Sequence, residues 1–235
     1  MKILIVGGSG GIGAALIETL LATQQEITLY ATYRSTQPAI QHTNLTWFQV
    51  DASLENQVAA LASQISRVDI LINTIGFLHQ DEQNPEKSIN EFDPTFFYQN
   101  ISANTLPTLL LAKYFATSLK SKKNTYFIAI SAKIGSIEDN QIGGWISYRS
   151  SKAALNMALK TISIEWHFKL PHCCVLAFHP GTTDTQLSAP FQRNVPQGKL
   201  FTPHYVAKQL LALIETKGPE SSGKFFSYSG EELPW

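Results

Sequence analysis

Tyr148 and Lys152 stand four residues apart in the run YRSSKAALN, inside a segment whose apolar spacing predicts a helix over residues 147–167. At that separation both side chains lie on one helical face, one turn from each other. An ammonium about 4 Å from a phenol, at an effective dielectric near 20, favours the phenolate by roughly 4 kcal/mol. That is about three pKa units, enough to bring a tyrosine from about 10 towards neutral pH, although burial offsets part of it. A tyrosine so poised can give a proton to a carbonyl oxygen as hydride reaches its carbon, or remove the proton in the oxidative direction. The pair is also a common accident of helices, so its meaning depends on what the rest of the chain places beside it.

The second chemically informative stretch is at the start of the chain. Residues 2–6, KILIV, are a short apolar strand that runs into GGSGGIG, after which a helical period resumes from Ala14. Five glycines in seven residues between a strand and a helix read as a phosphate-cradling turn, here Gly7, Gly8, Ser9, Gly10, Gly11, Ile12 and Gly13. Glycine lets backbone approach the phosphates closely, and the helix start offers unpaired N–H groups and a positive dipole end. A dinucleotide is therefore the first ligand to expect. The next β-rich run, residues 26–33, ends at Arg34. In such a fold an acid at this edge binds the ribose 2′-hydroxyl, whereas an arginine accepts a 2′-phosphate, so Arg34 favours NADP over NAD.

Further strands are expected at residues 45–51, 68–76, 125–131, 173–178 and 224–228, and helices at 54–66, 90–104, 107–120 and 203–216. Strands alternating with helices predict a Rossmann-type doubly wound α/β fold, with a mostly parallel seven-stranded sheet and helices on both faces. Asp51 falls at a strand's carboxyl end, where it can meet the adenine or cap the helix that follows. Asn73 and Gly76 end the fourth strand at the same ligand-facing edge. Residues 76–90, with Asp81, Glu82, Asn84 and Pro85, read as a polar surface loop. Residues 182–202 have little periodicity, as a substrate lid or a plain surface excursion would. Trp145, His79, Phe77, Leu187 and Phe191 are candidate pocket walls.

The chain of 235 residues carries 18 basic and 18 acidic side chains, 44% hydrophobic and only 15% charged residues. That supports one large-cored domain over residues 1–235 and argues against a nucleic-acid or anionic-membrane partner. The N-terminal strand begins at residue 2, no eighteen-residue apolar run occurs, and a cytoplasmic protein is expected. Cys173 and Cys174 are adjacent in an apolar strand, which points them to opposite faces as buried free thiols.

Taken together, the glycine turn, Asn73-Thr74-Ile75-Gly76, Asn104, the serine-bearing turn after the fifth strand, Tyr148-x-x-x-Lys152 and Pro180-Gly181 resemble the short-chain dehydrogenase/reductase family over essentially the whole chain. Gly135-Ser136-Ile137, Gly143-Gly144-Trp145, the YRSSKAALN run and Pro234-Trp235 are similar to the branch containing C-factor and sniffer-like carbonyl reductases. The resemblance implies that Gly7, Gly11 and Gly13 are the phosphate-turn glycines, with Val6 where a threonine is usual. Asn73 and Gly76 match the ends of N-N-A-G, and Thr74 and Ile75 depart from it. Tyr148 matches the acid/base, and Lys152 the residue that lowers its pKa and binds the nicotinamide ribose. Asn104 matches the asparagine of a proton-relay water, with Asn100 one turn away as a substitute. Pro180, Gly181 and Thr185 match the nicotinamide carboxamide site, near Thr182 and Thr183. The usual serine position falls on Ala132, leaving Ser131 and Ser136 as the hydroxyls that could hold a substrate oxygen.

The implied activity is NADP(H)-dependent hydride transfer to a small-molecule carbonyl, with no metal, in a homodimer paired through the helices at 90–120 and 147–167. The alternative implied by the branch is a cofactor-binding signalling protein with little turnover. Replacing Arg34 with Asp or Ala is expected to weaken NADPH binding while sparing NADH. A titration in which both cofactors lose affinity equally would remove Arg34 from the 2′-phosphate site.

Overall fold

Residues 1–80 and 83–235 are described in a computed structural model. The expected polar loop therefore includes two residues, Asp81 and Glu82, that lie outside the described set. The first strand, β1 (Lys2–Val6), is a run of β-branched and aliphatic residues, and its alternation feeds two cores. Leu4 and Val6 face one side of the sheet, and Ile3 and Ile5 the other. After the glycine turn, α1 (Gly11–Thr23) leads to β2 (Thr28–Tyr33) and β3 (Leu45–Gln49). Then α2 (Glu55–Gln64), β4 (Ile70–Asn73), α3 (Pro94–Asn104), α4 (Leu106–Phe115) and β5 (Thr125–Ile130) follow. The chain ends with α5 (Ile146–Lys169), β6 (Cys173–His179), β7 (Thr182–Thr183), β8 (Leu200–Phe201), α6 (Pro203–Thr216) and β9 (Lys224–Ser227).

Seven strands form one sheet in the order β3-β2-β1-β4-β5-β6-β9. Every pairing between them is parallel, so the expected doubly wound sheet is parallel throughout. Helices α2, α4 and α5 contribute to the core on one face, and α1 and α6 to the core on the other. Cys173 and Cys174 are free and buried in opposite cores, as strand alternation requires. The order reverses between β1 and β4, the crevice where ligands of such sheets sit.

Boundaries moved where local chemistry intervened. The helix expected at 90–104 is interrupted, because Asp93 takes the Thr95 amide at 2.8 Å as an N-cap and Pro94 fixes the first helical position of α3. A short 3₁₀ turn, Ile89–Glu91, precedes it. Residues 182–202 are less irregular than expected. β7 and β8 pair in parallel at Thr182↔Leu200 and Thr183↔Phe201, and a 3₁₀ segment, Ala189–Asn194, lies between them.

The packing of α1 on β1 depends on Gly13. A Cβ there would stand 2.4 Å from the Gly7 carbonyl oxygen and 2.9 Å from Gly8 Cα, both backbone atoms that have nowhere to go. At Gly10 the nearest atom would be 3.4 Å away. Gly13→Ala is therefore expected to lose about 1–3 kcal/mol in denaturant unfolding, as overpacked sites do. Gly10→Ala should lose clearly less; equal losses would refute the close-approach argument.

Candidate active site

The glycine turn closes on itself through Gly10 N–H, which donates to the Gly7 carbonyl at 3.0 Å, while Ala14 N–H starts the helical ladder on Gly10 at 2.8 Å. Gly7 has φ +84°, a left-handed conformation that suits glycine. Two threonines from neighbouring strands hold this turn. Gly7 N–H donates to Thr32 Oγ1 at 2.9 Å, and the Thr74 hydroxyl donates to the carbonyls of Val6 and Gly7 at 2.9 and 3.0 Å. Thr74, just after β4, thus holds the turn from a position that departs from the family pattern. Gly11 must be small because a Cβ there would lie 2.6 Å from Thr185 Cγ2. The first-turn N–H groups of α1, with no acidic residue beside them, fit an anion at the helix start.

From this turn extends a cleft of two adjoining chambers, about 970 and 1010 Å³, which share Ser9, Gly10, Arg34, Thr74, Gly76 and Phe77. The first contains Gly7, Thr32, Asp51 and Ser53. Asp51 does not cap α2. Its carboxylate accepts the Ser53 hydroxyl at 2.6 Å and the Ser53 amide at 3.0 Å. Burial pushes the Asp51 carboxyl up, but those bonds and the Arg34 charge outweigh it, and the net direction is down. Arg34 is exposed on the rim of this chamber, and its charge reaches Asp51.

The second chamber contains Tyr148, Lys152, Ser131, Pro180, Gly181 and Thr185, together with Gly11 and Ile12 from the turn. Tyr148 and Lys152 are only 6% and 2% exposed, and α5 brings both to the cleft as one-turn neighbours. The Lys152 ammonium lies 5.8 Å from the Tyr148 ring centre and donates to the Ile130 carbonyl at 3.0 Å. Burial dominates both groups: it pushes the Tyr148 phenol up and brings Lys152 down to about 8. The expected lowering of the phenol towards neutrality is corrected accordingly, since desolvation of a buried phenolate exceeds what this ammonium returns. Trp145, Phe191 and His79 form an aromatic wall, with Trp145–Phe191 ring centres 4.9 Å apart and His79–Phe191 5.7 Å apart. His79 Nε2 also pairs with the Gln186 carbonyl at 3.2 Å, joining the loop after β4 to the 182–202 segment. Leu187 and Phe77 complete that wall.

Other expected site residues act from behind the cleft. Asn104 is 1% exposed, takes the Phe77 amide at 2.7 Å, and donates to the Phe77 carbonyl at 2.8 Å and the Ser151 hydroxyl at 2.9 Å. It pins the Phe77 strap to α5 and lines neither chamber. Asn100 donates to the Phe96 carbonyl, and Asn73 to Thr108 Oγ1. Of the two serines, Ser131 lines the second chamber, but its hydroxyl donates to Asn156 Oδ1 at 2.5 Å. Ser136 lies outside the cleft: its hydroxyl donates to the Trp235 carbonyl at 3.1 Å and accepts the Asp139 amide, so it is corrected out of the site. Ala132 lines the chamber.

Several residues that shape the site escaped sequence reasoning. Thr32 and Thr74 gave no signal beyond ordinary strand threonines. Glu86, 3% exposed at the start of α5, sat in what read as a polar loop. Burial, then the Lys133 charge, pushes His179 down to about 4, so its ring is neutral near pH 7, and its Nδ1 has no partner among the described residues. The buried Thr183 hydroxyl, beside the chamber, is likewise unpartnered among the described residues.

Among curated proteins, benzil reductase ((S)-benzoin forming) of Bacillus subtilis is 29% identical over 93% of this chain and 94% of its own. C-signal of Myxococcus xanthus is 29% identical over 72% of this chain and 93% of its own. The fold is shared with an NADPH-bound carbonyl reductase from chicken fatty liver, at TM-score 0.86 and 24% identity, covering 100% of this chain and 94% of that one. The family described as short chain dehydrogenase matches residues 1–196. With the parallel sheet, the glycine turn and the buried Tyr148–Lys152 pair in one cleft, this match shows that the chain belongs to the short-chain dehydrogenase/reductase family of oxidoreductases.

Proposed function

We propose that this oxidoreductase uses NADP(H) to move hydride between nicotinamide and the carbonyl carbon of a small aldehyde, ketone or quinone-like substrate. The observation that carries the reading is one continuous cleft in which a phosphate-type helix start and Arg34 lie where the two chambers meet and buried Tyr148 and Lys152 line the second. Gly7, Ser9, Gly10, Gly11, Ile12 and Gly13 would form the pyrophosphate bed, with Arg34 on the ribose phosphate and Asp51 and Gly76 along the adenosine half. Pro180, Gly181 and Thr185 would flank the nicotinamide, where the unpartnered Thr183 hydroxyl has a donor to offer. The cofactor supplies the hydride chemistry when bound.

The protein's part is the proton. Burial keeps the Tyr148 phenol protonated, which suits a donor to the carbonyl oxygen in the reductive direction. A phenolate left behind needs a cation, and Lys152 at about 8 still carries its charge near neutral pH. The aromatic wall of Trp145, Phe191 and His79 favours an apolar or aromatic carbonyl compound, and benzil reductase, a relative, acts on a compound of that kind. Ser131 would orient the substrate only by accepting a bond or by giving up Asn156. Asn104 would act by fixing the Phe77 strap and α5.

The reading extends to one domain over residues 1–235, with 182–202 as a substrate lid tied at its base by β7 and β8. It also extends to a cytoplasmic homodimer. Buried free thiols fit a reducing compartment, and exposed Met157, Ile164 and Phe168 on α5 are apolar surface that a second copy would cover.

With NADPH and a panel of aromatic ketones and diketones, Tyr148→Phe is expected to lower kcat about 10²- to 10⁴-fold with NADPH affinity retained. Turnover equal to the wild type would remove the proposed acid, and tight NADPH binding without wild-type turnover would favour a signalling protein. Lys152 gives a second check through pH. Its folded pKa, about 8, lies below its usual 10.5, so between these values the unfolded chain holds more protons and folded-state stability rises with pH. Relative to Lys152→Met, the wild type should gain on the order of 3 kcal/mol across that window. A constant difference in unfolding free energy from pH 8 to 10.5 would contradict the buried ammonium.

A further inference from the structure

The start of α5, three residues before Tyr148, is held from outside the helix. Trp145 occupies the N-cap position with φ +53°, the described non-glycine residue with positive φ, and provides no side-chain cap. Gly143 and Gly144 before it are also left-handed, at φ +70° and +67°. A helix start without its own cap leaves amides that need acceptors, and here they come from Glu86, 61 residues earlier in the chain. The Glu86 main-chain carbonyl accepts the Trp145 N–H at 2.5 Å. Its carboxylate accepts the Ser147 N–H at 3.3 Å and, through the other oxygen, the Ser147 hydroxyl. Glu86 is 3% and Ser147 0% exposed, so water does not compete for these bonds.

The residues fixed this way matter to the site on either side. The Trp145 ring lies 4.9 Å from Phe191 in the 182–202 segment and 6.4 Å from the Tyr148 ring, making it the piece of wall between lid and acid. Ser147 immediately precedes Tyr148. From the opposite side Arg149 donates to the carbonyls of Gly144 at 2.9 Å and Ile134 at 3.3 Å, which ties the same turn to the loop after β5. The glycine bed belongs to β1 and α1, whereas Tyr148 rides on α5. Their mutual placement therefore depends on how the first turn of α5 is docked.

We propose that Glu86 is a positioning residue for the reaction: its buried carboxylate and carbonyl cap α5 in trans and set Trp145 and Tyr148 against the cofactor and lid. It touches neither substrate nor cofactor and acts only through Ser147 and Trp145. The inference rests on the reductase reading above for its kinetic readout, but its structural readout does not.

Glu86→Ala, Glu86→Gln and Ser147→Ala test it alongside the wild type. In Glu86→Ala kcat is expected to fall by about tenfold or more, because small misplacements of a reacting group are costly, while the Kd for NADPH stays within about twofold. Amide hydrogen exchange over residues 143–149 should quicken in Glu86→Ala while β1 and α1 keep their protection. Glu86→Gln retains an acceptor oxygen and is expected to recover most of kcat and most of that protection; Ser147→Ala should fall between. If Glu86→Ala does not fold, the graded losses in Glu86→Gln and Ser147→Ala carry the test. Unchanged exchange over 143–149, or loss of NADPH affinity in step with kcat, would overturn the positioning role. Wild-type protein without turnover would instead defeat the reductase reading, and the exchange pattern would still decide the clamp.

Discussion

The structure depends on a backbone-to-backbone contact. Gly13 in the first turn of α1 lies so close to Gly7 and Gly8 at the end of β1 that no side chain fits between them. That contact aims the helix start at the crevice where the sheet order reverses, between β1 and β4. The threonines at 32 and 74 then secure the turn from both neighbouring strands. Parallel register does the rest: because β1, β4, β5 and β6 end together, Gly7, Gly76, Ser131 and Pro180 reach one edge. In the proposed complex a dinucleotide laid on the glycine turn would reach along that edge to Tyr148.

At the Tyr148 end two effects compete, and burial wins. A cation beside the ring attracts a phenolate. Both partners are nevertheless almost wholly removed from water, and each is pushed towards its neutral form, the phenol up and the lysine down to about 8. A buried pair of this kind is not a standing phenolate. In the proposed reaction it would be a proton donor beside a cation whose stabilisation becomes useful as the proton leaves, which is the differential stabilisation catalysis requires.

Much of this was legible in the chain because it is local. The glycine turn, Arg34 at a strand end and a tyrosine one turn before a lysine are patterns within a few residues, and periodicity sufficed for the parallel α/β architecture. What sequence could not show were contacts between distant segments. Thr74 supporting the Val6 and Gly7 carbonyls spans 68 and 67 residues, and Glu86 capping α5 spans 61. Ser136 looked as eligible as Ser131 until the chain's last carbonyl, at Trp235, took its hydroxyl. Asn104 was expected at a proton-relay water, and its bonds to Phe77 and Ser151 tie three segments together from behind the cleft. Boundaries shifted for short-range reasons, as with the Asp93 cap and Pro94 at the start of α3.

The strained turn before α5 links these threads. A non-glycine residue in the left-handed region costs on the order of 1–3 kcal/mol and persists only where its surroundings enforce it. Trp145 is held there by Glu86 on its amide, while Arg149 holds the preceding carbonyls. Its ring meets Phe191 on one side and Tyr148 on the other. In the proposed reaction this one turn would hold both the aromatic wall and Tyr148, so substrate fit and proton transfer would be coupled through it. In the proposed reductase, a carbonyl compound that presses on the Trp145–Phe191 wall would also load the turn beneath Tyr148, and selectivity among substrates would fall on kcat as well as on KM.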